Sequence, residues 1–202
     1  MRRRTALTAI AGVGGALAGC LRSPTAESES VAVVDGFDGE MTRPECDAES
    51  EPIDVRVGDE TREFETAATI RYPAPPDSLG DQAVLDYVVD FEEAYVTNES
   101  ICESTESGHV LSVAYRSART ETFDWGEDAW LVFCRYAGGA IAGVDDGQLW
   151  EADVGFDQVV YAVDETGAAR AAFDEPRDPS RDEIASAAPD PVRRGELVAV
   201  FE

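Results

Sequence analysis

Four cysteines and a single histidine are the side chains of this sequence best suited to covalent or metal chemistry. Cys20 ends an apolar N-terminal run, whereas Cys46, Cys102 and Cys134 are widely separated along the rest of the chain. These last three cysteines and His109 have the residue types of a Cys₃His zinc site. Such sites usually contain closely spaced cysteines, and no Cys-x-x-Cys pair is present. We therefore expect neither a metal nor a cofactor.

Nucleophilic catalysis would require one of these thiols to lie beside His109. Cys102 or Cys134 paired with His109 would satisfy the residue types, but nothing in the local sequence brings such a pair together. The chain also lacks Gly-x-Ser-x-Gly, His-Glu-x-x-His and phosphate-loop patterns. We expect no catalytic residues, and we expect His109 to begin a strand as a half-exposed side chain.

The first twenty residues predict export and membrane anchoring. Three arginines precede an uncharged run over residues 6–19, which is the order of charge and hydropathy in a secretory signal. The paired arginines resemble a twin-arginine export signal, and Leu17-Ala18-Gly19-Cys20 resembles the lipobox of bacterial and archaeal lipoproteins. This resemblance implies cleavage before Cys20, lipid attachment to Cys20 and a location on the extracytoplasmic face of the cell membrane.

Two alternatives to the lipoprotein signal are a plain signal peptide with an incidental cysteine and an uncleaved membrane anchor. A membrane-spanning helix needs about 20 apolar residues. The uncharged run over residues 6–19 is shorter and rich in Gly and Ala, which disfavours the anchor.

Export favours disulfide formation among the three remaining cysteines. An odd number leaves one thiol over. Cys46 and Cys102 lie in loop-like sequence, whereas Cys134 lies within an apolar segment, where a thiol packs like a small hydrophobic residue. We predict a structural Cys46–Cys102 disulfide, with Cys102–Cys134 and no disulfide as alternatives.

Asn98-Glu99-Ser100 is an N-glycosylation sequon, and Asn98 is the only asparagine of the chain. Export would make Asn98 a candidate glycosylation site. The alternative is an unmodified residue near the end of a helix.

Three tryptophans are candidates for a ligand pocket for a sugar or another apolar molecule. The alternative is that they fill the core, which is the more common role of large aromatic side chains. These residues are Trp125, Trp130 and Trp150.

Charge composition argues against one class of partner. The chain has 42 acidic and 16 basic residues, a net charge of -26 and no lysine. Nucleic-acid binding requires a basic surface, which this composition does not supply. Abundant acidic residues with arginine as the only cation are similar to proteins of salt-loving archaea. The whole chain resembles twin-arginine-exported lipoproteins of haloarchaea, whose function is unknown, in its RR…LAGC leader, acidic spacer and the helix around 91–95.

Composition shifts divide the chain into four parts. Residues 1–19 form the signal peptide with its lipobox, and residues 20–45 form the lipidated cysteine and a flexible acidic linker. Residues 46–175 form a globular α+β domain. Residues 176–202 form a loose tail with a possible terminal strand over 197–201.

Hydrophobic periodicity predicts one long helix among strands. Ser78 and Asp81 fit a capping box, and Val84, Val88 and Phe91 then recur at helical spacing for about five turns. Strands are predicted at 53–57, 64–72, 109–115, 129–136, 158–163 and 168–173.

This order of elements predicts an α+β fold with one long amphipathic helix packed on a curved antiparallel β-sheet. The order over residues 53–173 resembles cystatin-like and NTF2-like domains.

These features favour a lipid-anchored, non-enzymatic envelope domain that binds a small molecule or another surface protein in the cleft of the fold. One alternative is an exported NTF2-like enzyme, either a hydrolase or an isomerase. Another is the substrate-binding lipoprotein of a transporter, which the short chain and the absence of repeated βα units disfavour. The membrane is the one partner that the leader implies directly.

The charge predicts a dependence of stability on salt. Outside the three signal arginines the chain has 13 arginines and 42 acidic residues. The screening length falls from about 10 Å at 0.1 M salt to about 3 Å at 1 M, so molar salt weakens a self-repulsion that opposes compact structure. We expect the melting temperature to rise with potassium chloride over this range. A melting temperature that stays constant or falls would indicate that the acidic surface serves to bind a specific partner instead.

Overall fold

A computed structural model describes residues 32–104, 108–126, 128–175 and 178–201. The signal peptide and Cys20 lie outside the described residues. The first element of the described residues is a short 3₁₀ helix at Val33–Gly36. The remaining elements, in chain order, are β1 Pro52–Val57, β2 Glu60–Glu65, α1 Asp81–Cys102, β3 His109–Asp124, β4 Trp130–Asp145, β5 Gln148–Glu151, β6 Phe156–Val163, β7 Gly167–Ala172, α2 Arg181–Ala187, α3 Pro191–Arg194 and β8 Glu196–Val200.

The α+β class with an antiparallel sheet is confirmed. The main sheet has the order β3-β4-β6-β7-β8, with β5 paired to β4, and β1 pairs with β2 in a separate two-stranded sheet. Every strand pair is antiparallel. Strand β5, which no sequence pattern predicts, has four residues and follows the tight turn at Asp146 and Gly147. Both turn residues have positive φ, as a two-residue hairpin turn requires.

Helix α1 packs its apolar stripe against the sheet. Val84, Val88 and Phe91 are each at most 1% exposed and share one core cluster with residues of β4, β6, β7 and β8. The predicted N-cap is wrong: Gly80, not Ser78, occupies that position. Asp81 is the first helical residue, and its carboxylate accepts a hydrogen bond from the Gln82 backbone N–H at 2.8 Å. An acid within the first turn satisfies a free N–H group there without a capping box.

Short helices cover the opposite face of the sheet. The 3₁₀ helix contributes Val33 to a cluster with Ala162, Ala169 and Leu197, while α2 contributes Ile184 to a cluster with Phe133 and other residues of β4, β6 and β7. The central strands are therefore buried on both sides, which explains why their sequences are apolar without alternation.

Two regions are more ordered than the flexible linker at 20–45 and the loose tail at 176–202, with its possible terminal strand, that the sequence predicts. Val33 is fully buried, and its backbone N–H donates to the Asp164 carboxylate at 2.7 Å. Residues 178–201 contain α2, α3 and β8, and α2 begins with a capping box of Ser180 and Glu183. The Pro- and Asp-rich composition suggested a loose segment here. The possible terminal strand that the sequence predicts over 197–201 is present as β8, in which Leu197 and its neighbours pair with β7 and complete the core.

No helix within the described ranges combines the length and the apolar character needed to cross a bilayer.

A core truncation tests whether the last strand belongs to the cooperative fold. Leu197 is 1% exposed in β8, whereas Val200 of the same strand is 42% exposed. We expect Leu197→Ala to lower the free energy of unfolding by about 2–5 kcal/mol, because it leaves a cavity in the core. The matched control Val200→Ala should change it by less than about 0.5 kcal/mol. Equal effects of the two variants in urea unfolding would show that β8 is not part of the cooperative unit.

Candidate functional site

A disulfide joins Cys46 to Cys102, as the sequence predicts, with an S–S distance of 2.09 Å and Cα atoms 5.7 Å apart. It attaches the extended segment before β1 to the last residue of α1. The two cysteines are 56 positions apart, and in the chain-entropy model closing a loop of this length stabilises a fold by about 4 kcal/mol. The bridge also commits both thiols, so neither is available as a nucleophile or a metal ligand.

Cys134 is fully buried in the middle of β4, with its thiol 3.7 Å from the Tyr115 hydroxyl. Burial, together with the nearby Glu92 charge, raises the pKa of the Cys134 thiol to about 11. The thiol is therefore protonated at neutral pH, and a protonated thiol is a poor nucleophile.

His109 is exposed at the start of β3, opposite Val144 of β4. Cys134 lies ten positions further back along β4, which corresponds to a separation of about 30 Å at the rise of a strand. The structure therefore does not bring His109 and Cys134 together. No group of three or more His, Cys, Asp or Glu side chains in the described part of the chain is arranged to hold a metal ion.

Asn98 performs a structural role. Its side chain is 4% exposed, and its amide accepts a hydrogen bond from the Ile70 N–H at 2.9 Å and donates to the Ile70 carbonyl at 3.0 Å. The nitrogen to which a glycan would be attached is thus buried and engaged in the folded domain. Of the two expectations for this sequon, the geometry matches an unmodified residue near the helix end, and Asn98 holds the segment before α1 in place.

The three tryptophans do not form a shared pocket. Trp130 packs on the α1 side of the sheet and donates its indole N–H to the Leu79 carbonyl at 2.7 Å, whereas Trp125 packs on the opposite side. Trp150 of β5 lies over Gly143 so closely that a Cβ at Gly143 would be 2.3 Å from its ring. Each tryptophan therefore packs in a different part of the fold.

A buried ion pair, which no sequence motif marks, lies between α1 and the sheet. Glu92 of α1 is completely buried, and Arg170 of β7 is 8% exposed. The Arg170 guanidinium donates Nε–H to one Glu92 oxygen at 2.9 Å and Nη2–H to the other at 2.8 Å. The hydroxyl of Tyr161 donates to the same carboxylate. Such a bidentate geometry is the strong form of an Arg–carboxylate interaction.

Further charged and aromatic side chains surround this ion pair. Burial lowers the pKa of Arg170, but the charge of Glu92, the hydrogen bonds to Glu92 and the nearby tyrosines together raise the pKa well above its usual value. The guanidinium also stacks over the Tyr95 ring at 4.0 Å, and the Tyr95 hydroxyl donates to Glu196 at 2.8 Å. Burial raises the pKa of the partly buried Glu99 carboxyl nearby. The polar groups beneath α1 are thus bonded mainly to one another.

Aromatic side chains fill the remaining space beneath α1. Phe91 is in ring contact with Tyr72, Tyr87 and Tyr161, at centroid distances of 4.7–6.0 Å. Phe201 packs edge-on against Tyr87 at 5.5 Å. The region in which the sequence predicts a binding cleft is therefore occupied by the protein's own side chains.

An open groove of about 870 Å³ lies on the outer surface beside the disulfide. Its two walls are the extended segments 43–50 and 68–72. Thr69 links the walls, because its N–H and its hydroxyl both donate to the Ala48 carbonyl, at 3.0 and 3.2 Å. Asn98 fixes one wall through Ile70, and the disulfide fixes the other through Cys46.

The groove combines charged and apolar groups. Arg43 pairs with Glu45 and stacks over the Tyr72 ring at 4.4 Å. Arg71 is exposed, and Ile70 is 41% exposed, which is high for a large hydrophobic side chain. A rigid groove of this composition suits a ligand or a protein segment with both polar and apolar parts.

Comparison of the chain with protein-family models, with curated proteins and with solved structures finds no match in any of the three.

The buried ion pair generates a stability prediction. Arg170→Met leaves the Glu92 carboxylate buried without its cation, and we expect a loss of about 3–5 kcal/mol in the free energy of unfolding. The double variant Glu92→Met/Arg170→Met removes both charges and should lose less than the single variant. Arg62→Met, which breaks an exposed pair with Glu60, is the control and should have little effect. Urea unfolding checks the order, and equal losses in Arg170→Met and Arg62→Met would contradict it.

Proposed function

We propose that this chain is a lipid-anchored extracytoplasmic domain that binds a small molecule or another surface protein without catalysing a reaction. The Cys46–Cys102 disulfide is the observation that carries the proposal. Disulfides persist in oxidising compartments and are rare in a reducing cytosol. The disulfide therefore supports the export that the leader with Arg2, Arg3 and Cys20 predicts.

In this proposal the anchor is a lipid on Cys20 at the start of the mature chain. The sequence after Cys20 would connect this lipid to the domain, in which Val33 is the first core residue that the structure describes. So short a connection keeps the domain near the membrane surface.

The proposal places binding on the outer surface, in the groove between segments 43–50 and 68–72.

We also propose a more specific fold than the α+β class. It is one long amphipathic helix laid on a curved antiparallel sheet, in a cystatin-like or NTF2-like arrangement. In an NTF2-like enzyme, substrate would enter the space between helix and sheet. Here that space contains Glu92, Arg170 and Tyr161, which bond to one another, and this supports surface binding over catalysis.

Replacement of Cys20 tests the anchoring. We expect the wild-type chain to sediment with membranes and to be digested by protease added to intact cells. Cys20→Ser should release the protein or leave an uncleaved precursor, because serine provides no thiol for the lipid. Cys134→Ala, which changes a buried cysteine away from the lipobox, is the matched control and should remain with the membrane. A Cys20→Ser variant that fractionates and migrates like the wild type would refute the lipoprotein proposal.

A further inference from the structure

A row of three polar side chains crosses the sheet on the face opposite α1. The register aligns Arg119 of β3 with Arg135 of β4, and Arg135 with Gln158 of β6. The neighbouring residues Cys134 and Val159 belong to the cluster under α1. Because successive side chains of a strand point to opposite faces, Arg135 and Gln158 point away from α1.

Arg135 and Gln158 contain buried polar atoms without partners. Gln158 is 3% exposed, yet neither its Nε2 nor its Oε1 has a hydrogen bond, and the Nε of Arg135 is also buried and unbonded. Within the described ranges, these three are the buried side-chain nitrogen and oxygen atoms that have no hydrogen-bond partner. A buried donor or acceptor without a partner destabilises a fold, so such atoms in a native protein call for a water, an ion or a ligand.

The two arginines of the row differ in their partners. Arg119 is bonded to Glu121, to Asp178 at 3.1 Å and to the Pro179 carbonyl at 2.6 Å. Arg135 forms no ion pair within the described part of the chain, although the sequence contains 42 acidic residues. Its guanidinium instead stacks over the Phe156 ring at 3.9 Å. Stacking holds the guanidinium plane, and the Nε–H in that plane has no hydrogen-bond partner among the described residues. A planar oxyanion is the acceptor that suits such a group.

We propose that Arg135 and Gln158 form a binding subsite for a small carboxylic acid that carries a hydrogen-bond donor next to its carboxylate, such as a hydroxy acid. The Arg135 Nε–H and the Gln158 amide N–H donate to the carboxylate oxygens. Oε1 of Gln158 accepts from the adjacent hydroxyl of the ligand. This inference goes beyond the binding proposed for the groove, because it concerns a second site that shares no residue with the groove.

Lactate is the probe for this subsite, with acetate and chloride as comparisons. The full chain carrying Cys20→Ser is titrated with the potassium salts at one constant ionic strength, so that general screening is equal in all three. We expect lactate to raise the melting temperature most and acetate less, relative to chloride. The Gln158 side-chain amide and Arg135 Nε–H signals should shift in NMR spectra with lactate. Identical melting temperatures in the three salts would overturn the proposal.

Two variants separate binding from structure. Gln158→Met removes both unbonded amide atoms at similar volume, so the variant should melt at a higher temperature than the wild type when lactate is absent. The lactate response, which is the rise in melting temperature that lactate causes relative to chloride, should be at least tenfold smaller. Arg135→Met should weaken that response equally. Arg56→Met removes the same charge from an exposed position on β1 and should retain the response. A Gln158→Met variant that melts lower and keeps the full lactate response would assign Gln158 a purely structural role.

These results are independent of the anchoring test. The subsite fails if the lactate response is absent while the wild-type chain still requires Cys20 to remain on the membrane. The anchoring proposal fails if fractionation is unchanged by Cys20→Ser, whatever the lactate titration shows.

Discussion

The pairing of Glu92 with Arg170 is the constraint on which the rest of the interior depends. Glu92 lies on α1, Arg170 on β7 and Tyr161 on β6, so a single carboxylate joins the helix to two central strands. A completely buried carboxylate is tolerated only when its charge and its lone pairs are matched. This requirement fixes the position of α1 along its axis and its rotation about that axis, because a small translation or rotation would separate the two charges. Apolar contacts such as those of Phe91 tolerate much larger adjustments.

The disulfide and Asn98 fix the C-terminal end of the same helix. Cys102 is the last residue of α1, and Asn98 lies one turn before it, so both act on the end that faces the two groove segments. One of them is covalent and the other is a pair of hydrogen bonds. Together they let α1 serve as the support for two segments that have little regular secondary structure of their own. A rigid surface groove built from irregular chain needs such external fixation, because the segments cannot satisfy their backbone groups alone.

Sequence patterns predicted those features that depend on local or repetitive signals. The stripe of Val84, Val88 and Phe91 identified α1, and the loop-like setting of Cys46 and Cys102 identified the disulfide. Glu92 could not be selected, because it is one of 42 acidic residues and its partner is 78 positions away. The groove and the subsite at Gln158 depend on pairs that are distant in the chain, and no periodicity marks them. The terminal strand was predicted, but α2 was not, because the Pro- and Asp-rich composition obscured the Ser180–Glu183 cap, which is a local signal visible in the sequence.

The contact of Val33 with the last strand has a consequence for biosynthesis. Val33, near the start of the described chain, and Leu197, near its end, pack in the same small cluster on the face opposite α1. During synthesis Val33 emerges from the ribosome long before Leu197 is made, so this part of the core stays open until β8 has been added. A chain interrupted before β8 lacks the residue of that strand that completes the cluster.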